Sequence, residues 1–596
     1  MQEYTTPATL VLDEAANLTD LVFRNADEAP DFACFARREG SEWRDVTSVQ
    51  FRDEVVGLAK GLVAAGIEPG DRVAIMSKTR YEWSLADFAI WTAGAVPVPI
   101  YETSSAEQVE WILSDSSAVA AFVESEKHEG IVADLRDRLP KLANVWRFET
   151  GAVDTLTAGG ADVDEAEIDR RRKTLNTESM ATLIYTSGTT GRPKGCELTH
   201  GNFLFDAMSV SEATSELWED GKSTLLFLPL AHVFARVIEV SCVFNRVQVA
   251  HSADIKNLLA DFADFKPSFI LSVPRVFEKV YTTAKQKAHA DGKGKLFDRA
   301  ESIAVKYSQG MDRGAAGPLV KLEHAVWERL VYGKLRAALG GRVEYAVSGG
   351  APLGARLGHF FRGIGVTILE GYGLTETTAG ATLNTPQRMK VGSVGQPIPG
   401  VTVRIADDGE ILLKGGLIFR GYWHNPDASK EALEGDGWFH TGDIGEIDAD
   451  GFLKITGRKK ELIVTAGGKN VAPAVLEERL QAHRLVSQAM VVGDNQPFIA
   501  ALVTIDPEAF PTWLKEKGKS EGASVADLVD DADLVAEIQT AVDNANKAVS
   551  QAEAIRKFQI MPVDWTEEGG QLTPTLKLKR SVVAKECAAD IEALYG

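Results

Sequence analysis

Apolar residues in the first half of the chain change rhythm repeatedly, and the changes predict alternating helices and strands. Phe51, Val55, Leu58 and Leu62 recur at helical spacing behind Thr47-Ser48-Val49-Gln50, a capping-box pattern, and Gly66 stops the helix. Gly70-Asp71 leads into the apolar run 72–76, a strand, and LADFAIWTAGA, VPVPI, AEQVEWILSDSS and AVAAFVES continue as helix, strand, helix, strand. Strands separated in this way need crossovers, so the pattern predicts βαβ units around a mainly parallel sheet. Residues 277–339 are rich in Ala, Lys, Glu and Leu with few strand signals, and read as a helical insertion. Short β segments joined by Asp408-Gly409, Asp436-Gly437 and Asp450-Gly451 turns fill 401–455 and predict an antiparallel subdomain. Thr456-Gly457-Arg458-Lys459-Lys460 reads as a joint, followed by mixed β and α signals to the C-terminus. The fold class expected is α/β, with a large first domain over 1–459 and a smaller α+β domain over 460–596.

Length supports more than one unit, because single cores stop growing at about 250 to 300 residues and this chain has 596. Hydrophobic residues at 45% and charged residues at 25% leave ample apolar material for buried sheets, which excludes disorder. The 64 lysines and arginines against 85 aspartates and glutamates leave a net charge of −21, a field that repels phosphate backbones and anionic lipid, so nucleic acid is not an expected partner. Arg170-Arg171-Arg172-Lys173 reads as a solvated linker. The cysteines Cys34, Cys196, Cys242 and Cys587 lack CxxC spacing, which argues against a disulfide framework or zinc site and fits a reducing cytosol. The N-terminus has neither a basic nor an apolar signal region, and no run approaches the roughly 18 apolar residues of a membrane span. The expected location is cytoplasmic, with membrane contact limited to a peripheral association at the inner face.

Chemistry concentrates in Tyr185-Thr186-Ser187-Gly188-Thr189-Thr190-Gly191-Arg192-Pro193-Lys194-Gly195, directly after the apolar run 181–184. Its glycines let backbone amides approach an anion, its hydroxyls donate hydrogen bonds and Arg192 and Lys194 supply charge, which together describe a polyphosphate cradle. The lysine spacing is not that of a Walker A loop. Further motifs follow in order: Ser348-Gly349-Gly350-Ala351-Pro352-Leu353 after a strand, Glu370-Gly371-Tyr372-Gly373-Leu374-Thr375-Glu376-Thr377-Thr378, Trp438-Phe439-His440-Thr441-Gly442-Asp443, Gly457-Arg458, and Leu572-Thr573-Pro574-Thr575-Leu576-Lys577-Leu578-Lys579-Arg580. Glu370 to Thr378 contains Gly-x-Gly without the third glycine of a dinucleotide fingerprint. Asp448-Ala449-Asp450-Gly451 lacks the further carboxylates of a calcium loop and reads as a turn.

Taken together these motifs resemble the adenylate-forming superfamily of acyl-CoA synthetases, firefly luciferases and peptide-synthetase adenylation domains, over nearly the whole chain. The resemblance implies that Thr186, Ser187, Gly188, Thr189, Thr190, Gly191 and Lys194 hold ATP phosphates, and that Gly349, Gly350 and Ala351 lie against the adenine. It adds Glu370, Gly371, Tyr372, Gly373 and Thr375 to the nucleotide site, with Tyr372 stacked on adenine and Thr375 at the α-phosphate. Glu376, with Thr186, is implied as the Mg²⁺ ligand, a hard-oxygen environment that suits this ion. Asp443 would hold the ribose hydroxyls and Arg458 the ribose or phosphate. Lys577 would bridge carboxylate and α-phosphate, and His232, in Leu228-Pro229-Leu230-Ala231-His232-Val233-Phe234, would orient the acyl-adenylate or serve only as a packed helix start.

The reaction implied is activation of a long-chain fatty acid by MgATP to an acyl-adenylate, followed by transfer to coenzyme A. Long-chain preference follows from resemblance in 266–279, in the helical insertion and in the LTPTLKLKR ending. The C-terminal domain would rotate about Lys460 between the two steps, withdrawing Lys577, with Gly467-Gly468 flanking the CoA arm. Two other readings are an acyl-AMP ligase that delivers to a carrier protein and a nucleotide-binding module without turnover. Oligomeric state stays open, a homodimer included.

Overall fold

The capping box forms at the head of the first long helix, Ser48–Ala64. Thr47 Oγ1 accepts from the Gln50 amide at 3.3 Å and Gln50 Oε1 accepts from the Thr47 amide at 2.9 Å. Phe51, Val55, Leu58 and Leu62 are buried along this helix, and Gly66, at φ +88°, turns the chain after it. The computed structural model describes residues 2–9, 11–186, 192–254, 256–467, 469–573 and 577–596.

Two sheets carry the predicted parallel order. Val96–Ile100, Arg72–Met76, Ala120–Val123 and Asn144–Arg147 form one, parallel throughout. The larger has nine strands, and its central six, Thr367–Tyr372, Tyr345–Ser348, Phe269–Ser272, Ser223–Leu226, Gln248–His251 and Ala33–Glu39, run parallel. Antiparallel strands close both of its edges. Met180–Thr186 pairs antiparallel with Lys194–Thr199, which pairs with Gly421–Tyr422. The Asp-Gly region is the antiparallel sheet expected, built from Thr402–Ile405, Glu410–Lys414, Phe439–Ile447 and Leu453–Arg458, and Glu3–Thr5 joins its edge. Those three N-terminal residues gave no period to read, because their order comes from pairing with a strand far along the chain.

The expected insertion is helical, through Pro274–Ala290, Gly294–Met311, Pro318–Trp327, a π-helical turn at Glu328–Tyr332, and Gly333–Ala337. Beyond Arg458, a separate apolar cluster joins Leu476, Leu480, Val491, Val503, Trp513, Ile538 and Val542 around the sheet of Val486–Val492, Ile499–Ile505 and Ile555–Ile560.

A buried ion pair ties these layers to the site. Arg236, on helix Val233–Asn245, grips Asp87 through Nη2 at 2.5 Å and Nε at 2.8 Å, with both side chains 0% exposed. Its Nη1 reaches the Thr182 hydroxyl at 2.7 Å, on the strand that leads to the glycine-rich loop. Trp83, Trp91 and Phe203 offer ring faces to the guanidinium within 5.6 Å. Burial pushes the Asp87 carboxyl up and the guanidinium pulls it down; the bidentate geometry argues that the pair is ionised.

The basic run at 170–173 is only half solvated: Arg170 and Lys173 are exposed, whereas Arg171 and Arg172 are packed. It ends the helix Glu165–Arg172, where Arg171 is buried and donates to Ile67 O at 2.6 Å and to Glu167 at 2.7 Å, and Arg172 lies 3.9 Å from the Phe23 ring centroid. Charge density alone suggested water; the apolar stems and the carbonyls they reach decide for packing.

Candidate functional site

Two of the glycine motifs sit at the C-terminal ends of parallel strands, where ligands gather in open α/β sheets. Strand Tyr345–Ser348 ends in Gly349 and Gly350, and its parallel neighbour Thr367–Tyr372 ends in Gly373 and the short 3₁₀ turn Thr375–Thr377. A Cβ on Gly349 would stand 3.1 Å from the Phe234 ring, and Gly350 takes φ +84°; Ala351 is exposed. A Cβ on Gly373 would fall 1.4 Å from the Ala379 carbonyl oxygen, so this position admits only glycine. Gly371 is also crowded, since a Cβ there would stand 3.0 Å from both a Leu383 methyl and the Thr382 carbonyl oxygen.

Asp443 is the centre of the candidate nucleotide cluster. Its position opposite Arg458 is set by the register of Phe439–Ile447 against Leu453–Arg458. Tyr372 Oη donates to Asp443 Oδ2 at 2.6 Å, and Arg458 Nε meets Asp443 Oδ1 at 3.0 Å. The Tyr372 hydroxyl is pushed well up by burial and by the Asp443 charge, so it stays a donor.

Lys577 lies beside this cluster. It keeps contact with solvent yet is walled by protein, which lowers its ammonium to about 8, assisted by Arg458 and opposed by Asp443 and Glu461. Its charge also acts on His232, whose ring is held down to about 3, chiefly by burial. His232 caps helix Val233–Asn245: Nδ1 accepts from the Phe234 amide at 3.2 Å. In the neutral ring that bond assigns the proton to Nε2, which is then a donor. Two segments 345 positions apart in sequence are thereby brought into one charge environment.

Glu376 and Thr186 converge on Cys196, whose thiol is pushed up by burial and by the Glu376 charge and held down by the Thr186 hydroxyl. Tyr422 Oη donates to Glu376 Oε1 at 2.7 Å, while Lys194 Nζ stands 4.9 Å above the Tyr422 ring. A carboxylate and a hydroxyl close together form a donor set that suits Mg²⁺. Ser187, Gly188, Thr189, Thr190 and Gly191 lie outside the described residues, as do Gly468 and 574–576. Glu370 has a protein partner of its own: its buried carboxylate accepts from the Leu353 amide at 3.3 Å, and burial raises it to about 7. It braces the Gly349 to Leu353 loop from behind. Lys460 is exposed in the 3₁₀ turn Lys459–Glu461 and makes no ion pair among the described residues.

Two residues in this constellation, Tyr422 and Glu461, escaped sequence reasoning, and a third, Arg580, stands in the C-terminal motif with no role assigned to it there. Tyr422 steadies Glu376, and its one signal is a Gly-Tyr-Trp run that equally suits a packed turn. Glu461 acts on both Arg458 and Lys577. Arg580 anchors the Lys577 segment, donating to Val491 O at 2.5 Å and pairing with Glu477.

This geometry has counterparts among known proteins. Residues 22–423 match the AMP-binding enzyme family, and residues 460–596 match the AMP-binding enzyme C-terminal domain. The chain belongs to the AMP-binding enzyme family. Among its relatives is the long-chain-fatty-acid–CoA ligase FadD15 of Mycobacterium tuberculosis, 54% identical over 599 aligned residues and covering 100% of both chains. Among solved structures, the A domain of a carboxylic acid reductase from Segniliparus rugosus, in complex with AMP and a co-purified carboxylic acid, aligns with TM-score 0.75 at 20% identity, covering 98% of this chain and 95% of that one. An o-succinylbenzoate CoA synthetase from Bacillus subtilis, in complex with ATP and magnesium ion, aligns at TM-score 0.67 and 20% identity, covering 94% and 98%. At that identity the two structures speak for the shared AMP-binding enzyme fold.

Proposed function

We propose that this AMP-binding enzyme is a long-chain fatty acid CoA ligase: fatty acid and ATP give acyl-AMP and pyrophosphate, then acyl-AMP and CoA give acyl-CoA and AMP. The observation that carries the reading is the end-to-end identity of 54% with a relative named for that activity. In the first step a carboxylate oxygen forms a bond to the α-phosphorus while the bond to the β-phosphate oxygen breaks and pyrophosphate leaves. The charge of Lys577 offsets repulsion between the carboxylate and the α-phosphate, and His232 Nε2–H donates to an oxygen of the forming mixed anhydride. Asp443 and Arg458 orient the ribose, with Tyr372 fixed by its bond to Asp443. Glu376 and Thr186 would hold Mg²⁺, which supplies charge neutralisation on the phosphates when bound.

The second step forms the C–S bond and breaks the bond to AMP, with the thiol proton passing to solvent. A thiol must then approach from the side that Lys577 occupies, so the unit 460–596 turns about Lys460, as the exposed setting of that residue allows. Placement in the cytoplasm follows the same reading, supported by four cysteines that are buried and free. The test is pyrophosphate release and thioester formation by purified protein with MgATP, CoA and acids from acetate to palmitate. Thioester yield rising with chain length is expected; pyrophosphate without thioester would replace the reading with an acyl-AMP ligase, and neither product with a binding module.

A further inference from the structure

Six of the ten large apolar side chains exposed among the described residues fall in one part of the fold, the helical insertion. Leu319, Leu322, Val326 and Leu330 are 81%, 69%, 50% and 55% exposed. They follow each other at spacings of three, four and four along Pro318–Trp327 and the π-helical turn behind it, which aligns them as one outward stripe. Trp327 and Tyr332 face inward from the same segment and are buried. An ordinary surface helix would carry polar residues where this one carries leucines.

The charge around the stripe separates it from the rest of the molecule. Residues 274–342 hold 14 lysines and arginines against 7 aspartates and glutamates, a surplus of seven positive charges. The remainder of the chain then holds 50 against 78, a net of −28. On the helix itself both acids are already paired, Glu323 with Arg299 at 2.6 Å and Glu328 with Arg336. Lys321, Arg329 and Lys334 are exposed on the same segment and have no ion-pair partner among the described residues. A stripe of leucines bordered by uncompensated cations is the composition of a helix that lies in the headgroup region of an anionic bilayer. A second copy of the chain suits it less, because an isologous contact would set two positive segments face to face.

From these observations we infer that the helix Pro318–Trp327 and the turn after it form a docking surface for an anionic lipid bilayer. The surface lets an otherwise acidic protein, which bulk electrostatics would keep off such membranes, rest on them through one face. It complements the proposed use of long-chain acids, which partition into bilayers, but lipid binding is measured without turnover, so the two readings stand or fall separately.

The experiment is co-sedimentation of the full chain with vesicles of phosphatidylcholine alone and of phosphatidylcholine mixed with phosphatidylglycerol, at low and high salt. Two variants accompany it, one carrying Leu319→Gln, Leu322→Gln and Leu330→Gln and the other carrying Lys321→Glu, Arg329→Glu and Lys334→Glu. All six positions are exposed, so folding is retained, which circular dichroism and activity on octanoate check. The wild type is expected to bind the anionic vesicles, to leave them in high salt and to ignore the neutral ones, and each variant to lose binding by about tenfold or more. Equal binding by wild type and variants, or no binding of the wild type to anionic vesicles, would overturn the proposal. So would a wild-type dimer in analytical ultracentrifugation that the leucine variant dissociates, in which case the stripe is a self-association face.

Discussion

Raising the pH should switch off acyl-adenylate formation well below the range in which an ordinary lysine loses its proton. The ammonium of Lys577 is lowered to about 8 by its protein surroundings and by Arg458, against the pull of Asp443 and Glu461. The charged form is the one that offsets repulsion between carboxylate and phosphate, so activity falls as pH rises through that value. With a midpoint near 8, about nine-tenths of the enzyme carries the charge at pH 7 and about one-tenth at pH 9, a loss of about tenfold in kcat/KM for pyrophosphate release. Glu461→Gln removes one of the anions that favour the ammonium, so its profile should move to lower pH, while the Lys577→Ala background should be low and nearly flat. Octanoate and MgATP keep a constant ionisation over this range, so stopped-flow pyrophosphate detection reads the enzyme group alone. A wild-type profile level to pH 9.5, or an unshifted midpoint in Glu461→Gln, would refute the placement of Lys577 in this charge environment.

Other perturbations reach different parts of the same machinery. Asp87→Leu leaves Arg236 buried without its counter-ion, and should cost about 3 to 5 kcal/mol, measured by urea unfolding; Arg236→Met placed in the same chain should recover part of it. Arg580→Ala frees the Lys577 segment from Val491 and Glu477, and should lower adenylation by about tenfold or more at unchanged ATP affinity, while thioester formation from added acyl-adenylate is retained. Tyr422→Phe removes a bond of 2.7 Å to the Glu376 carboxylate, worth about 1.5 to 3 kcal/mol, and should weaken MgATP binding by about tenfold or more in a calorimetric titration.

The sequence by itself determined what depends on local order. Thr47 and Gln50 are three positions apart, and a capping box needs nothing further. Gly350 at φ +84° is a glycine whose own backbone conformation demands the residue. Helix and strand alternation, the Asp-Gly antiparallel region and the helical insertion were readable for the same reason, because side-chain period and turn chemistry act over a few residues. Tertiary structure decided what depends on distant partners. Tyr422 meets Glu376 across 46 positions, Arg580 meets Glu477 across 103, and Glu3–Thr5 becomes a strand only against Thr402–Ile405. Arg171 left the solvent for the Ile67 carbonyl, and Glu370 meets the Leu353 amide across 17 positions. In each case the free energy of a polar group depends on which groups the fold sets within hydrogen-bonding distance, and no period along the chain records that.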